Sequence, residues 1–383
     1  MAFVLTNARV LTAQGFSSHL SVVIEDGRIV AVVPTRDARI AGLLTHDLDG
    51  LYLVPGFIDC QVNGGGGVLF NNAPSVETLQ RIATAHLGFG TTSFLPTLIS
   101  DDPSVMREAI AATRSAIAQG VAGVRGIHLE GPYLASARKG AHDATSFRVP
   151  DSAEVELATS LGNGLTLITL APEVAPCETI RELIARGAII SGGHSEASYE
   201  EVRNALNAGM RGFTHLFNAM PALQSREPGI LGAALADADS WCGIIVDGHH
   251  VHPASLRIAI AAKPRGKVFL VTDAMPPVGA ATPDFQLYGE MIAVREGVCR
   301  NAVGALAGSA LDMASALRNC VQMLSVPLDE AARMASTYPA SFLGIDDSYG
   351  CIAAAYYADL VALDDQLTVQ RVWLNGTPTD DED

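Results

Sequence analysis

Residues 165–220 read LTLITLAPEVAPCETIRELIARGAIISGGHSEASYEEVRNALNAGMRGFTHLFNAM. Three short apolar runs, LTLITLAPE, AIISGGHS and GFTHLFNAM, are separated by two stretches of helix length. In those stretches, 178–186 and 199–208, Leu, Ile, Val and Ala recur at helical spacing, and Ser198 stands where an N-cap belongs. Strand, helix and strand in this order make a parallel β-α-β unit.

The same alternation extends in both directions. LVPGFIDCQVN, TTSFLPTLI and VRGIHLEGPY precede it, and CGIIVDGHH and VFLVTDAM follow. Helical segments at 76–87, 103–118 and 253–262 fall between them, with Asp102-Pro103 as another helix start. Eight such units predict an α/β fold, a (β/α)8 TIM-like barrel over 54–346. An open doubly wound sheet accounts less well for the polar residues that follow nearly every strand, the face on which barrel enzymes build their sites. Both chain ends read as hairpins, with Asp26-Gly27 and Asn375-Gly376 as turns. Residues 1–53 together with 347–383 are therefore expected to form a small β-sandwich domain. Residues 288–300, YGEMIAVREGVCR, look like a hairpin inserted after the eighth strand, near the site. The acidic end, Asp380 to Asp383, is expected to fray.

Apolar residues make up 49% of the 383 and charged residues 17%, enough to bury a sizeable core. A net charge of -16 argues against nucleic acid or an anionic membrane as partner, while leaving a local cationic pocket for a small anion. The six cysteines show no CxxC spacing, which suggests neither a zinc ribbon nor a disulfide framework. The opening MAFVLTNARVLTAQ lacks the pattern of a secretory leader, and no apolar run approaches a membrane span. The expectation is a soluble, reduced, cytoplasmic protein.

Four ionisable residues stand where barrel strands would end: Glu130, His194, His215 and Asp273. Each has an ordinary reading alone: a surface carboxylate, two hydrogen-bonded histidines, an N-cap. Together, one carboxylate and two imidazoles form the open ligand set of a catalytic divalent metal. Asp273, in apolar surroundings, then finds a partner in metal-bound water and a role as proton acceptor and donor.

The ordered set PGFIDCQVNG, HLEGPYL, GHS, THLFNAM, DGHHVH, LVTDAM and LAGSALDM runs along nearly the whole chain. It resembles the amidohydrolase superfamily and, within it, the N-acetylglucosamine-6-phosphate deacetylases. Most of the superfamily carries His-x-His on the first strand, where this chain has Gln61 and Asn63. Neutral amides are poor transition-metal ligands, so one tightly bound metal per subunit is expected, with Gln61 and Asn63 supporting a metal-bound water. Zinc is the first expectation for that metal, with Fe2+, Co2+ or Mn2+ as alternatives. The resemblance further implies that Ala141, His142, Asn218, Ala219, Arg226, Asp247, Gly248, His249, His250, Leu306, Ala307 and Gly308 contact substrate. His142 would bond the acetyl carbonyl oxygen. Arg226 and His250 would reach the phosphate from a neighbouring subunit, making a homodimer. His249 and His252 receive no separate role.

The expected reaction is deacetylation of N-acetyl-D-glucosamine 6-phosphate to glucosamine 6-phosphate and acetate, with Asp273 as general base and then acid. Three alternatives stand beside it. One is the same chemistry on the galactosamine epimer. Another is a non-catalytic sugar-phosphate sensor, which has no use for Asp273. The last is a cyclic-amide hydrolase, disfavoured because no Lys stands at a strand end.

Overall fold

The computed structural model describes residues 2–282, 284–302 and 304–379, so the expected fraying of Asp380 to Asp383 lies outside the described residues. Eight parallel strands form the central sheet: β1 (Phe57–Val62), β2 (Thr91–Ile99), β3 (Gly126–Glu130), β4 (Leu165–Leu170), β5 (Ala188–Gly192), β6 (Gly212–Phe213), β7 (Trp241–Ile244) and β8 (Val268–Leu270). Each pairs with its sequence neighbour. The ring is completed where Val62 bridges Ala274 in parallel and the Asn63 N–H donates to the Ala274 carbonyl at 2.8 Å. This is the (β/α)8 barrel. All nine residues of β2 are buried, as expected of a parallel strand covered on both faces.

The helices between strands are α1 (Val76–Leu87), α2 (Pro103–Ala118), α3 (Ser152–Ala158), α4 (Cys177–Ala185), α5 (Tyr199–Asn207), α6 (Gly229–Ala236) and α7 (Pro253–Ala262). After β8 and the insertion come α8 (Met313–Leu324), α9 (Leu328–Ala335) and α10 (Thr337–Leu343). Ser198 starts α5 with a full capping box: its hydroxyl accepts from Glu201 N and Glu201 Oε2 accepts from Ser198 N. Asp102 occupies the cap position of α2 without a side-chain bond, and Pro103 supplies the start. The sequence GILGAALA of α6 is apolar all round and six of its residues are buried, so no amphipathic period marks it.

Two further sheets flank the barrel. One joins Arg28–Pro34, Leu20–Glu25, Phe3–Thr6 and Leu44–Asp47. The other mixes both ends of the chain, because Leu360–Leu363 pairs antiparallel with Tyr52–Pro55. Trp373, 1% exposed, packs with Leu5, Val10, Ile24 and Leu53. Asp26 and Gly27, at φ 49° and 79°, make the left-handed turn that a two-residue hairpin needs. After β8, Phe285–Leu287, Glu290–Arg295, Val298–Arg300 and Leu306–Ser309 form an inserted antiparallel sheet, wider than the single hairpin expected. Among the described residues, no helix is long and apolar enough to cross a membrane.

Candidate active site

Glu130 is the last residue of β3. His194 and His215 follow the ends of β5 and β6, and Asp273 follows β8, all at the same mouth of the barrel. His194, His215 and Asp273 have φ of 48°, 31° and 52°. Non-glycine residues enter this left-handed region at a cost of roughly 1–3 kcal/mol each, and such strain collects at functional sites. Next to Glu130, Gly131 stands at φ +84°, and a Cβ there would lie 2.2 Å from Ser100 Oγ.

Glu130 Oε1 lies 3.2 Å from His194 Nε2 and 2.9 Å from His215 Nε2, and the two imidazole nitrogens are 3.0 Å apart. His194 Nδ1 is 2.8 Å from the Arg138 carbonyl. A carbonyl only accepts, so Nδ1 carries a proton and Nε2 is the nitrogen turned toward the carboxylate. Lone pairs gathered this closely need a cation or an extra proton between them. Glu130, His194 and His215 are buried, and their candidate ligand atoms lie within 4.8 Å of one another. Two imidazoles and a carboxylate on a buried wall fit a divalent metal. Burial works to raise the Glu130 pKa, but the His194 and His215 imidazoles against its carboxylate hold it well below the usual carboxylate range. Burial works against protonation of His215, and the Glu130 carboxylate outweighs it, raising the ring's pKa.

Asp273 faces this group across Gln61. Its Oδ1 accepts from Gln61 Nε2 at 3.1 Å and Asn63 Nδ2 at 2.7 Å, while Gln61 Nε2 also lies 3.1 Å from Glu130 Oε1. Gln61 Oε1 and Asn63 Oδ1 are buried with no hydrogen-bond partner among the described residues. Burial and the Glu130 charge push the Asp273 pKa up to about 6. Burial holds His142 down at about 3, so its ring is neutral. Beneath them Asp59, on the same face of β1 as Gln61, accepts from Thr272 Oγ1 at 2.5 Å, and burial raises its pKa to about 7.

Residues 52–379 match the model of the amidohydrolase family. The chain belongs to the amidohydrolase family. It is 46% identical to an N-acetylgalactosamine-6-phosphate deacetylase of Shewanella over 96% of this chain and 94% of that protein. It is 35% identical to an N-acetylglucosamine-6-phosphate deacetylase of Haemophilus influenzae over 98% of this chain and 99% of that one. The crystal structure of N-acetylglucosamine-6-phosphate deacetylase from Pasteurella multocida superposes with a TM-score of 0.96 at 35% identity, covering 100% of both chains.

In this amidohydrolase the cluster opens into a cavity of about 300 Å³, in the lower part of the range of small-molecule sites. Its wall includes Asn63, Ala141, His142, Asn218, Ala219, His250, Leu306, Ala307 and Gly308, all expected from sequence. Gly308 is required where it stands, since a Cβ would lie 2.4 Å from Met275 Cγ and φ is +63°. Asp247 stays behind the wall. It accepts from His249 N and His250 N, and its Oδ2 holds His250 Nδ1 at 2.6 Å.

The structure brings some of the remaining expected residues to the pocket and leaves others outside it. His250, expected to reach a neighbouring subunit, lines the pocket of its own chain, where bonds to Asp247 tie it to the loop after β7. His249, Gly248 and Arg226 are exposed and absent from the wall. Arg226 makes no hydrogen bond or ion pair among the described residues. His252, left without a role, caps α7 by accepting from Ala254 N at 3.1 Å. Ile99, Gly140, Met275, Leu287 and Ala305 also line the wall without a sequence signal, and behind it, equally unsignalled, stands Ser100, whose hydroxyl lies 2.8 Å from His142 Nδ1. An apolar residue among many carries no signal of this kind.

Proposed function

We propose that this amidohydrolase deacetylates N-acetyl-D-glucosamine 6-phosphate, giving D-glucosamine 6-phosphate and acetate. The observation that carries the reading is the placement of Asp273 opposite Glu130, His194 and His215, with His142 on the same wall of one cavity. Glu130, His194 and His215 would hold the metal, zinc before iron, cobalt or manganese on its ligand set. When bound, the metal supplies Lewis-acid polarisation of the amide carbonyl and acidification of water, from 15.7 toward about 7 at zinc.

The chain's own groups do the rest. Asp273 takes a proton from the attacking water and returns it to the amide nitrogen as the C–N bond breaks. Gln61 and Asn63 hold the Asp273 carboxylate in place. His142 donates to the carbonyl oxygen as negative charge grows there. Asn218, the Ala219 N–H and His250 bind the sugar and its phosphate at the pocket mouth, with Leu306 to Gly308 as the apolar side. Asp247 orients His250, and Gly248 and His249 belong to the same loop.

Arg226, exposed and unpaired, is assigned to the phosphate of a neighbouring subunit in a homodimer. Residues 1–53 and 347–383 are read as the small domain that buttresses the barrel. The location proposed is the cytoplasm, where sugar phosphates are made and, being charged, stay. The name of the Shewanella relative, at 46% identity, favours a second reading: the same chemistry on N-acetylgalactosamine 6-phosphate.

The test is acetate release from both 6-phosphates and from unphosphorylated N-acetylglucosamine, with metal counted on the same sample. Preference for the gluco epimer with about one metal per chain supports the proposal. Preference for the galacto epimer moves the substrate and keeps the mechanism. No turnover of any of the three by metal-loaded protein overturns both readings.

A further inference from the structure

Ser100 follows the last residue of β2 and is 1% exposed. Its backbone N–H points at His142 Nδ1 across 3.3 Å, and its hydroxyl lies 2.8 Å from the same nitrogen. A backbone N–H can only donate. His142 Nδ1 is therefore the acceptor, and the proton of the neutral ring sits on Nε2. That nitrogen lies 3.9 Å from Glu130 Oε2, on the wall of the pocket.

Ser100 is itself held from outside the barrel. The inserted hairpin between Phe285–Leu287 and Glu290–Arg295 turns through Tyr288 and Gly289, at φ 50° and 78°. A turn of this shape favours Asn, Asp or Gly at both places, and a bulky residue there is strained. The Tyr288 phenol donates to the Ser100 carbonyl at 2.5 Å and lies against the backbone of Asp143, next to His142. The strained residue thus makes a contact that a short turn side chain could not reach. Gly131 completes the arrangement, since a Cβ at that position would occupy the space of Ser100 Oγ.

We propose that Ser100 and Tyr288 are positioning residues for His142: Ser100 locks the ring with its Nε2–H toward the pocket, and Tyr288 pins Ser100 from the inserted hairpin. The tautomer follows from geometry alone, whereas its use, donation to the substrate carbonyl, rests on the deacetylase reading. The hairpin then does more than wall the cavity. Its docking completes the donor that faces the scissile amide.

The first measurement is a long-range proton–nitrogen NMR spectrum of metal-loaded protein labelled with 15N-histidine, with His142 assigned by its loss in His142→Gln. The expected spectrum shows His142 as the Nε2–H tautomer. A protonated Nδ1 overturns the proposal whether or not the enzyme turns over. The second measurement compares Tyr288→Phe, Ser100→Ala and the double variant at equal metal content. Each single change is expected to lower kcat roughly ten-fold with KM within about two-fold, and the double variant to lose less than the product, as residues acting in one chain do. Ser100→Thr, which restores the hydroxyl, should recover most of the loss. Unchanged kcat in both single variants overturns the positioning role. If the expected tautomer is found in a protein that releases no acetate, the deacetylase reading fails and the geometric assignment stands.

Discussion

Gln61 Nε2 donates to Asp273 Oδ1 across 3.1 Å, joining the first barrel strand to the loop after the last. The same amide reaches Glu130 Oε1, also at 3.1 Å, so one neutral side chain separates two buried carboxylates. Where a histidine would add positive charge, Gln61 leaves Asp273 with a pKa raised to about 6 by burial and the Glu130 charge.

That value sets a pH prediction. Asp273 must be ionised to accept a proton, so kcat/KM should rise with pH up to about 6 and level off above it. A bound cation favours the ionised form and would move this limb lower, never higher. Asp273→Asn should abolish the limb and lower kcat by about 10²- to 10⁴-fold, while metal content stays the same. Steady-state profiles of both proteins, with metal analysis, check this.

Metal removal should be felt in the fold as well as in the reaction. Without a cation, the His194 and His215 nitrogens at 3.0 Å and the Glu130 carboxylate have only protons to separate them. Chelation should abolish turnover and lower the melting temperature; a ligand at 1,000 times its Kd contributes about 4 kcal/mol. His194→Ala and His215→Ala should each lose the metal and show no further drop on chelation. Calorimetry with and without added zinc reads this directly.

Asp59 predicts a pH dependence of stability that is independent of catalysis. Its pKa rises from 3.8 to about 7 on folding, chiefly by burial. The folded state therefore holds a proton that the unfolded state releases, and stability falls as pH rises between these two values. The full effect is on the order of 4 kcal/mol as an upper bound. Asp59→Asn imitates the protonated form, keeping an acceptor for the Gln61 and Thr272 backbone N–H groups. It should flatten the stability profile and be more stable than the parent at pH 8, as denaturant titrations at several pH values would show.

The dimer assignment of Arg226 has a test by complementation. Arg226→Ala and Asp273→Asn should each be weak or inactive alone. Mixed and allowed to exchange subunits, they should regain activity, because one heterodimer site then holds an intact Asp273 and an intact Arg226 from its neighbour. No recovery in a sample shown to have exchanged would place Arg226 outside the active site.

The order of elements was legible in the sequence because each is a local property. Periodicity set eight apolar runs between helical stretches, and Ser198 marked a helix start that became a full capping box. Glu130, His194, His215 and Asp273 could be singled out because ligand-type residues at successive strand ends share one rim of a barrel. What only the tertiary structure decided were relations between side chains far apart in the chain. Gln61 and Asp273 are 212 positions apart, and Tyr288 and Ser100 are 188 apart. The placement of His250 in its own chain's pocket belongs to the same class, as does the tautomer of His142. Hydrogen-bond direction and ring orientation depend on which backbone groups stand opposite. Those are brought there by closure of the barrel and docking of the inserted hairpin, which no local pattern of residues encodes.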